Sequence, residues 1–445
     1  MIPPGEVRAA WPAEIARARG ERGGLGAAAG RALLLLAVPL CLVWLPVGNV
    51  PGAGNVTASD LTLAALWGLC AWSLATRGLS KVAIEPAALP LLALAIGLLA
   101  AVGSELSTST GRGPFEFFLL LKRFGLAAVL PLAATLFRSP AMGRRMRSVA
   151  LLSLAALAVF ALVPSLQTVL PRPPAFDASE SGPRATGLLT NPNDLAYTAV
   201  ALAVLYGAFF PRRPRLRDRL LLVAALSASG ACLVLAASRS GLLGAASALA
   251  VVLLSRRIAA RTKVTLLLAS TAVVVVGLAL GGTFERRVAR AYEEGGRDEN
   301  VSSRLHAQRI ALLASMRHPL GVGFTGYVAA TSGMTRTYTP LGSDSVYFDT
   351  LLGAGVLGLL AFLALLGTAF RHIRRAAPKG GLRGLVLRAG MVAFAVFGTA
   401  SIIPMAVALS PLFFSIVAAA SYPDEVGPSG AGGFAFTSPA RWSPG

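Results

Sequence analysis

Residues 86–104, PAALPLLALAIGLLAAVGS, run without one charged side chain. A helix crossing the hydrocarbon core of a bilayer needs about 20 predominantly apolar residues, and this stretch supplies them as the centre of a span over 83–104. Working outward in both directions, the same pattern recurs. Apolar stretches lie at 32–48, 58–76, 115–137, 148–170, 191–210, 220–237, 240–254, 264–282, 346–370, 385–403 and 405–421. The expected fold class is therefore all-α: a polytopic integral membrane helix bundle of about twelve transmembrane helices. The stretch 240–254 is short for a bilayer, and the last pair, split at Pro404, reads equally as one kinked or re-entrant element.

Bulk composition agrees. Hydrophobic residues make up 55% of the 445, and charged residues only 14%, against about 25% in soluble chains. The 47 glycines suit membrane helices, where Gly is commoner than in soluble ones. The net charge of +21 does not point to a nucleic-acid partner, because no contiguous basic face carries it. Instead Arg and Lys cluster in alternate short connections. With the amino terminus cytoplasmic, Arg77 and Lys81, the Arg138–Arg147 group, the arginines of 212–219, the Arg256–Lys263 group and those of 371–388 all fall on the inward side. That is the positive-inside pattern.

The expected organisation is a cytoplasmic tail over 1–31, helices one to nine over 32–282, a large outward loop over 283–345, three more helices over 346–421, and a Gly/Pro/Ser-rich cytoplasmic tail over 422–445. A cleaved signal peptide fits the start less well, because the run near Ala32 lacks a small-x-small cleavage site. Cys41, Cys70 and Cys232 lie in apolar stretches and read as small buried hydrophobes. The three histidines show no metal-ligand spacing, and no metal or cofactor is expected.

Polar residues in an apolar bundle are expensive and ask for a reason. Arg184-Ala-Thr-Gly-Leu-Leu-Thr-Asn191-Pro-Asn193-Asp194 leads into the sixth span. Pro192 suits a helix start and Asn191 its cap. Arg184 is either incidental or held where free N–H groups favour an anion. Ser238-Arg239-Ser240-Gly241 makes a tight outward turn, with Arg239 either snorkelling to lipid phosphate or clamping a substrate phosphate. In the long loop, 302–317 predicts a helix with Leu305, Leu312 and Met316 near one face, Ile310 and Leu313 beside it, and Arg304, Gln308 and Arg309 polar. It would lie along the membrane or cover a cavity. A Gly-rich turn from His318 to Gly326 follows, then Ser343-Asp344-Ser345-Val-Tyr347, where Asp344 reads as a helix N-cap or a functional carboxylate. Lys122 and Arg123 lie within the fourth span and should face the bundle interior, toward an anionic headgroup or an acidic partner. Several outward arginines, a basic pair in the membrane and a lid would suit a lipid-linked diphosphate.

These residues together resemble the O-antigen ligase and Wzy-type O-antigen polymerase superfamily, over about residues 30–420. The resemblance rests on Arg184…Gly187…Asn191-Pro192-Asn193, on Ser238-Arg239-Ser240, on Ser303-Arg304-Leu305 with His318-Pro319-Leu320-Gly321-Val322-Gly323, and on the large outward loop. It implies a metal-independent, inverting glycosyltransferase at the periplasmic face of the bacterial inner membrane. The implied donor is an undecaprenyl-diphosphate-linked oligosaccharide. By carry-over Arg184, Arg239 and Arg304 are candidate catalytic residues, and Asp344, at a position where the family differs, is added as a candidate general base. Lys122, Arg123, Asn191, Asn193, Arg309, His318 and Tyr347 are the candidate substrate contacts. Membrane lipids and a chain-length regulator are the expected partners. Ligases of the family typically place a His-Asn pair where this chain has Asp344-Ser345. That departure favours a polymerase for O-antigen, capsule or exopolysaccharide over transfer of the glycan to another acceptor. A transporter or flippase of the lipid-linked glycan is the reading from a different class, but no internal repeat supports it.

Overall fold

The computed structural model describes residues 25–422 except for 44, 51–53, 78–83, 109–111, 140, 164–165, 167–184, 187, 190, 212–213, 257, 280–298, 333, 335–341, 377–381 and 401–409. Helix occupies part or most of every apolar stretch. The first helix, α1 (Leu25–Leu40), begins inside the segment expected to be tail and ends well before residue 48. An antiparallel hairpin of β1 (Pro46–Val50) and β2 (Gly54–Thr57) follows, a local correction to the all-helical expectation. Pro46 and Gly48 disfavour helix there. Asp60 then caps the next helix by accepting from the Thr57 amide at 2.8 Å and hydroxyl at 2.9 Å.

That helix is α2 (Ala58–Arg77), followed by α3 (Ile84–Thr108) and α4 (Gly113–Leu120). The single span expected over 115–137 is helical but not one regular α-helix. After α4 come a π-turn at Leu121–Gly125, a 3-10 turn at Ala127–Val129 and α5 (Leu130–Leu136). Pro131 sits in the first turn of α5, where a missing N–H costs nothing, so the chain restarts there. Then come α6 (Met142–Leu162), α7 (Pro192–Ala208), α8 (Leu216–Ala236), α9 (Arg239–Leu254) and α10 (Ala260–Ala279). The segment expected as the outward loop holds α11 (Glu299–Arg317) and the short α12 (Tyr327–Thr331). Last are α13 (Val346–Ala376), α14 (Leu382–Thr399) and α15 (Ser410–Ala419).

Among the described residues, six helices are long and apolar enough to cross a membrane: α2, α3, α6, α8, α13 and α14. Shorter apolar helices include α1, α9 and α15. The chain is thus a multi-pass helical membrane protein. One of the shorter apolar helices, α15, is internal. Its ten residues are all buried, so it is apolar as a central plug rather than as a lipid-facing rod. Phe413 and Phe414 of α15 stack on Phe394 and Phe124, with centroids 3.9 and 5.1 Å apart. Outside this aromatic nucleus, Leu91, Leu98, Val102 and Leu106 are exposed in a row along α3, a surface made for acyl chains.

The two ends of the bundle differ. At one, Arg147 pairs with Asp218 at 3.3 Å, Arg375 pairs with Glu85, and Arg383 bonds the carbonyls of Ala208 and Tyr422. This is the Arg-rich end expected to face inward. At the other end α13 breaks. Gly355 has φ +73° and ψ −174°, a conformation essentially reserved for glycine. The freed backbone groups are taken by residues 319–323. Val322 and Gly323 donate to the carbonyls of Leu352 and Gly353, each at 2.9 Å, and Val356 donates to Pro319 at 3.0 Å. Gly321, at φ +91°, has no room for a side chain, since a Cβ would sit 2.5 Å from the Gly353 carbonyl oxygen. Gly355 thus divides α13 into Val346–Ala354 and a longer segment that ends in Arg371, Arg374 and Arg375.

Candidate active site at the outer end of the bundle

Two clusters form where helix starts meet. In the first, Asn191 caps α7, its side chain accepting from the Asn193 amide at 2.8 Å. Asn193 in turn accepts from the Ser238 hydroxyl at 2.7 Å. Ser238 caps α9, accepting from the Gly241 amide at 3.1 Å, and lies 3.2 Å from the Ser240 hydroxyl. Preceding it, Ala237 takes a left-handed conformation at φ +45° that makes the turn between α8 and α9 sharp. The two motifs singled out 45 residues apart in sequence thus share one hydrogen-bond chain. It leaves Arg239 half-buried as the first residue of α9.

In the second cluster, Arg304 of α11 bonds the Ala400 carbonyl at 3.2 Å, and its Nε lies 3.4 Å from Asp344 Oδ2. One turn on, Gln308 bonds the Thr399 carbonyl at 3.1 Å. Asp344 is not the cap of α13. Ser343 and Asp349 perform that role: the Ser343 amide and hydroxyl donate to Asp349 Oδ1 at 2.8 and 2.6 Å. The Ser345 amide donates back to the Ser343 hydroxyl at 3.2 Å. Asp344 is instead flipped outward at φ +55°, with its side chain 54% exposed. Left-handed backbone is uncommon for a residue with a Cβ, and Asp is among the few types that tolerate it.

Packing brings both clusters to the same end. Phe397, near the end of α14, lies against Tyr197 one turn into α7 at 5.3 Å between centroids, and against Gly244 one turn into α9. Its neighbour Gly398 lies against Val346 and Tyr347 at the start of α13 and accepts from Ser345 at 3.2 Å. The starts of α7, α9 and α13 therefore gather around the end of α14. Helix starts present unpaired N–H groups and the positive pole of the backbone dipole, which favour an anion.

The other predicted residues are placed as follows. Lys122, on the π-turn, lies 3.8 Å from Asp60 and donates to the Asn55 carbonyl, so the acidic partner left open by the sequence is Asp60. Tyr347 sends its hydroxyl to the Ala395 carbonyl at 2.9 Å and packs edge-on to Phe362, tying α13 to α14. His318 is half-buried in the turn after α11, and Arg309 is exposed on α11. Arg184 and the side chain of Arg123 lie outside the described residues. Sequence reasoning missed Glu116, which is fully buried in α4. It accepts from the amides of Phe324 and Thr325 at 2.8 and 2.9 Å and from the Thr325 hydroxyl. A carboxylate in an apolar span was the available signal. Its partners, about two hundred residues away, were not. Beyond that turn, the Tyr327 hydroxyl reaches the Ala307 carbonyl of α11 at 3.1 Å. Burial, with Asp349 and Asp344 nearby, pushes its phenol up, so it remains a donor.

Residues 222–363 match the model of the O-antigen ligase family. Over those residues the chain is similar to that family. A comparison with curated proteins gives no match. The matched residues hold Arg239, Arg304, Asp344 and the Gly-rich turn together with the kinked start of α13. Their anchors Asn193, Glu116, Thr399 and Ala400 lie outside the matched residues, so these arginines and the carboxylate are positioned by flanking helices.

Proposed function

We propose that this protein is a membrane glycosyltransferase that polymerises undecaprenyl-diphosphate-linked oligosaccharide units at the periplasmic face of the inner membrane. The observation that carries this reading is the Arg304–Asp344 pair, Arg304 half-buried and Asp344 exposed, within the residues that match the O-antigen ligase family and beside three converging helix starts. The Arg-rich opposite end supports the orientation by the positive-inside rule. In the proposed reaction the Asp344 carboxylate takes the proton of an acceptor sugar hydroxyl. The oxygen attacks the anomeric carbon of the donor from the face opposite the diphosphate. The carbon–oxygen bond to the diphosphate breaks, the lipid diphosphate leaves with the bonding electrons, and the anomeric configuration inverts. Arg304 and Arg239 stabilise the charge growing on the leaving group, for which a guanidinium fork is well shaped. No metal is needed in this scheme. The family's description favours a second reading, transfer of the finished glycan to another acceptor by the same chemistry.

The test is Arg304→Ala in the native cell, with surface glycan and the lipid-linked pool sized on a gel. Loss of the long ladder with single repeat units accumulating on lipid is the expected result. Long chains left on the carrier lipid would make the protein a ligase, and an unchanged glycan profile would remove Arg304 from the site. Arg239→Ala is expected to reduce transfer about 10²–10³-fold, the usual effect of deleting one donor to a developing charge, at unchanged membrane level. A normal polymer yield from that variant would return Arg239 to the lipid-snorkelling role.

A further inference from the structure

The helix α11 has two apolar sides, and packing within the chain accounts for one. Ala307, Ala311 and Ala314 are buried, the last two in a small cluster with Val322, Tyr327 and Leu352, and Ile310 is buried beside them. On the opposite side Leu305, Leu312, Leu313 and Met316 are exposed, by 44 to 73%. Leu305, Leu312 and Met316 recur at the spacing of one helical stripe, the same spacing as the exposed row Leu91, Leu98, Val102 on α3. Isolated exposed leucines need no explanation, but a stripe does, and this one is interrupted by the exposed Arg309 between Leu305 and Leu312.

Both ends of α11 are fixed at the level where spans emerge. Toward its start, Arg304 and Gln308 bond the carbonyls of Ala400 and Thr399 at the outer end of α14. After its last turn, residues 319–323 are bonded into the kink of α13. There the Leu320 carbonyl lies against Gly103 of α3, roughly 29 Å along that helix from Ile84 at 1.5 Å per residue. Leu320 itself is exposed, as are Val102 and Leu106 of α3 and Val356 of α13 around it. The stripe on α11 therefore runs into the lipid-facing surface of the spans. Residues 302–317 carry no acidic side chain, and Arg309 and Arg317 are exposed.

We propose that α11 lies in the outer bilayer interface, with Leu305, Leu312 and Met316 against acyl chains and Arg309 and Arg317 on lipid phosphates. Long basic side chains within or beside such a stripe reach the headgroups while their stems stay apolar. The geometry stands on the membrane fold and not on the enzymatic reading. If that reading holds as well, Arg304 and Asp344 sit at headgroup depth, where the diphosphate of a lipid-linked donor lies, so α11 would also be the side from which the donor arrives.

The experiment places a single environment-sensitive fluorophore on Cys at position 312, 316 or, as an aqueous reference, 332, in the full chain with its buried cysteines retained. The protein is reconstituted in nanodiscs of phosphatidylethanolamine and phosphatidylglycerol. Ser332 is exposed just beyond α12. Brominated lipid is expected to quench the probes at 312 and 316 at least twofold more than the probe at 332, and iodide to do the reverse. Equal iodide quenching at all three positions would overturn the proposal. Protection of 312 and 316 from both quenchers would also overturn it, by showing that protein covers the stripe. Leu312→Asp gives a second readout: it should weaken quenching at 316 by brominated lipid without changing thermal stability in detergent. Because quenching needs no turnover, an inactive protein with lipid-quenched probes would reject the glycosyltransferase reading and keep this one.

Discussion

Asp344→Asn is expected to lower glycan transfer by about 10²–10⁴-fold, the range for removing a general base, while donor binding and membrane level stay near those of the parent. The substitution isolates chemistry from structure. Asn accepts left-handed backbone as readily as Asp, so φ +55° at this position is kept. The cap of α13 rests on Ser343 and Asp349, so the helix start does not depend on residue 344. The introduced amide could still accept a hydrogen bond near Arg304, leaving α11 in place. What is lost is the charge and the capacity to take a proton. Transfer measured on a lipid-linked donor, alongside donor binding, checks this. A variant of full activity would leave the Arg304–Asp344 pair as a clasp between α11 and α13 with no part in the reaction.

Gly355→Ala is expected to cost several kcal/mol of stability, seen as a large drop in detergent melting temperature and in membrane level. A Cβ at this position would stand 2.5 Å from the Leu320 carbonyl carbon and from the Pro319 carbonyl oxygen, both backbone atoms that cannot step aside. Backbone strain at φ +73° adds about 1–3 kcal/mol, and overpacking a filled site about 1–3 more. Relief by straightening α13 would expel residues 319–323 and leave the Val322, Gly323 and Val356 amides without their partners. Gly367, on the same helix, is the control, since a Cβ there meets nothing within 4 Å. Gly367→Ala should be neutral or slightly stabilising. Equal stability of the two variants would show that the kink is not held by glycine.

The helix in the outward loop illustrates how far the sequence could be read. Its position was legible from periodicity, and Glu299–Arg317 contains the expected 302–317. Which face it buries was not. Leu305, Leu312 and Met316 marked the apolar side, yet the chain buries the alanines and Ile310 opposite. Close packing against α13 needs small side chains, and in a membrane protein the larger ones can be left to lipid. Asp344 shows the same limit. A carboxylate before a helix reads as a cap, and only the bonds from Ser343 to Asp349 show that the cap is elsewhere. The irregular turns at 121–129 were hidden for a different reason: they continue the helical path, so the apolar pattern runs through them apart from Lys122 and Arg123.

By itself, the sequence determined that this chain is a multi-pass helical membrane protein, which end of the bundle collects its arginines, and which short motifs carry polar groups worth explaining. Solvent imposes those features residue by residue, because a bilayer rejects uncompensated charge wherever it falls. The tertiary structure alone decided that Asn193 bonds Ser238, that Arg304 meets Asp344, that Glu116 holds the Gly-rich turn, and that α13 breaks at Gly355 to accept it. Each of these joins groups far apart in the chain, or trades one backbone partner for another, and no local periodicity records which partner wins.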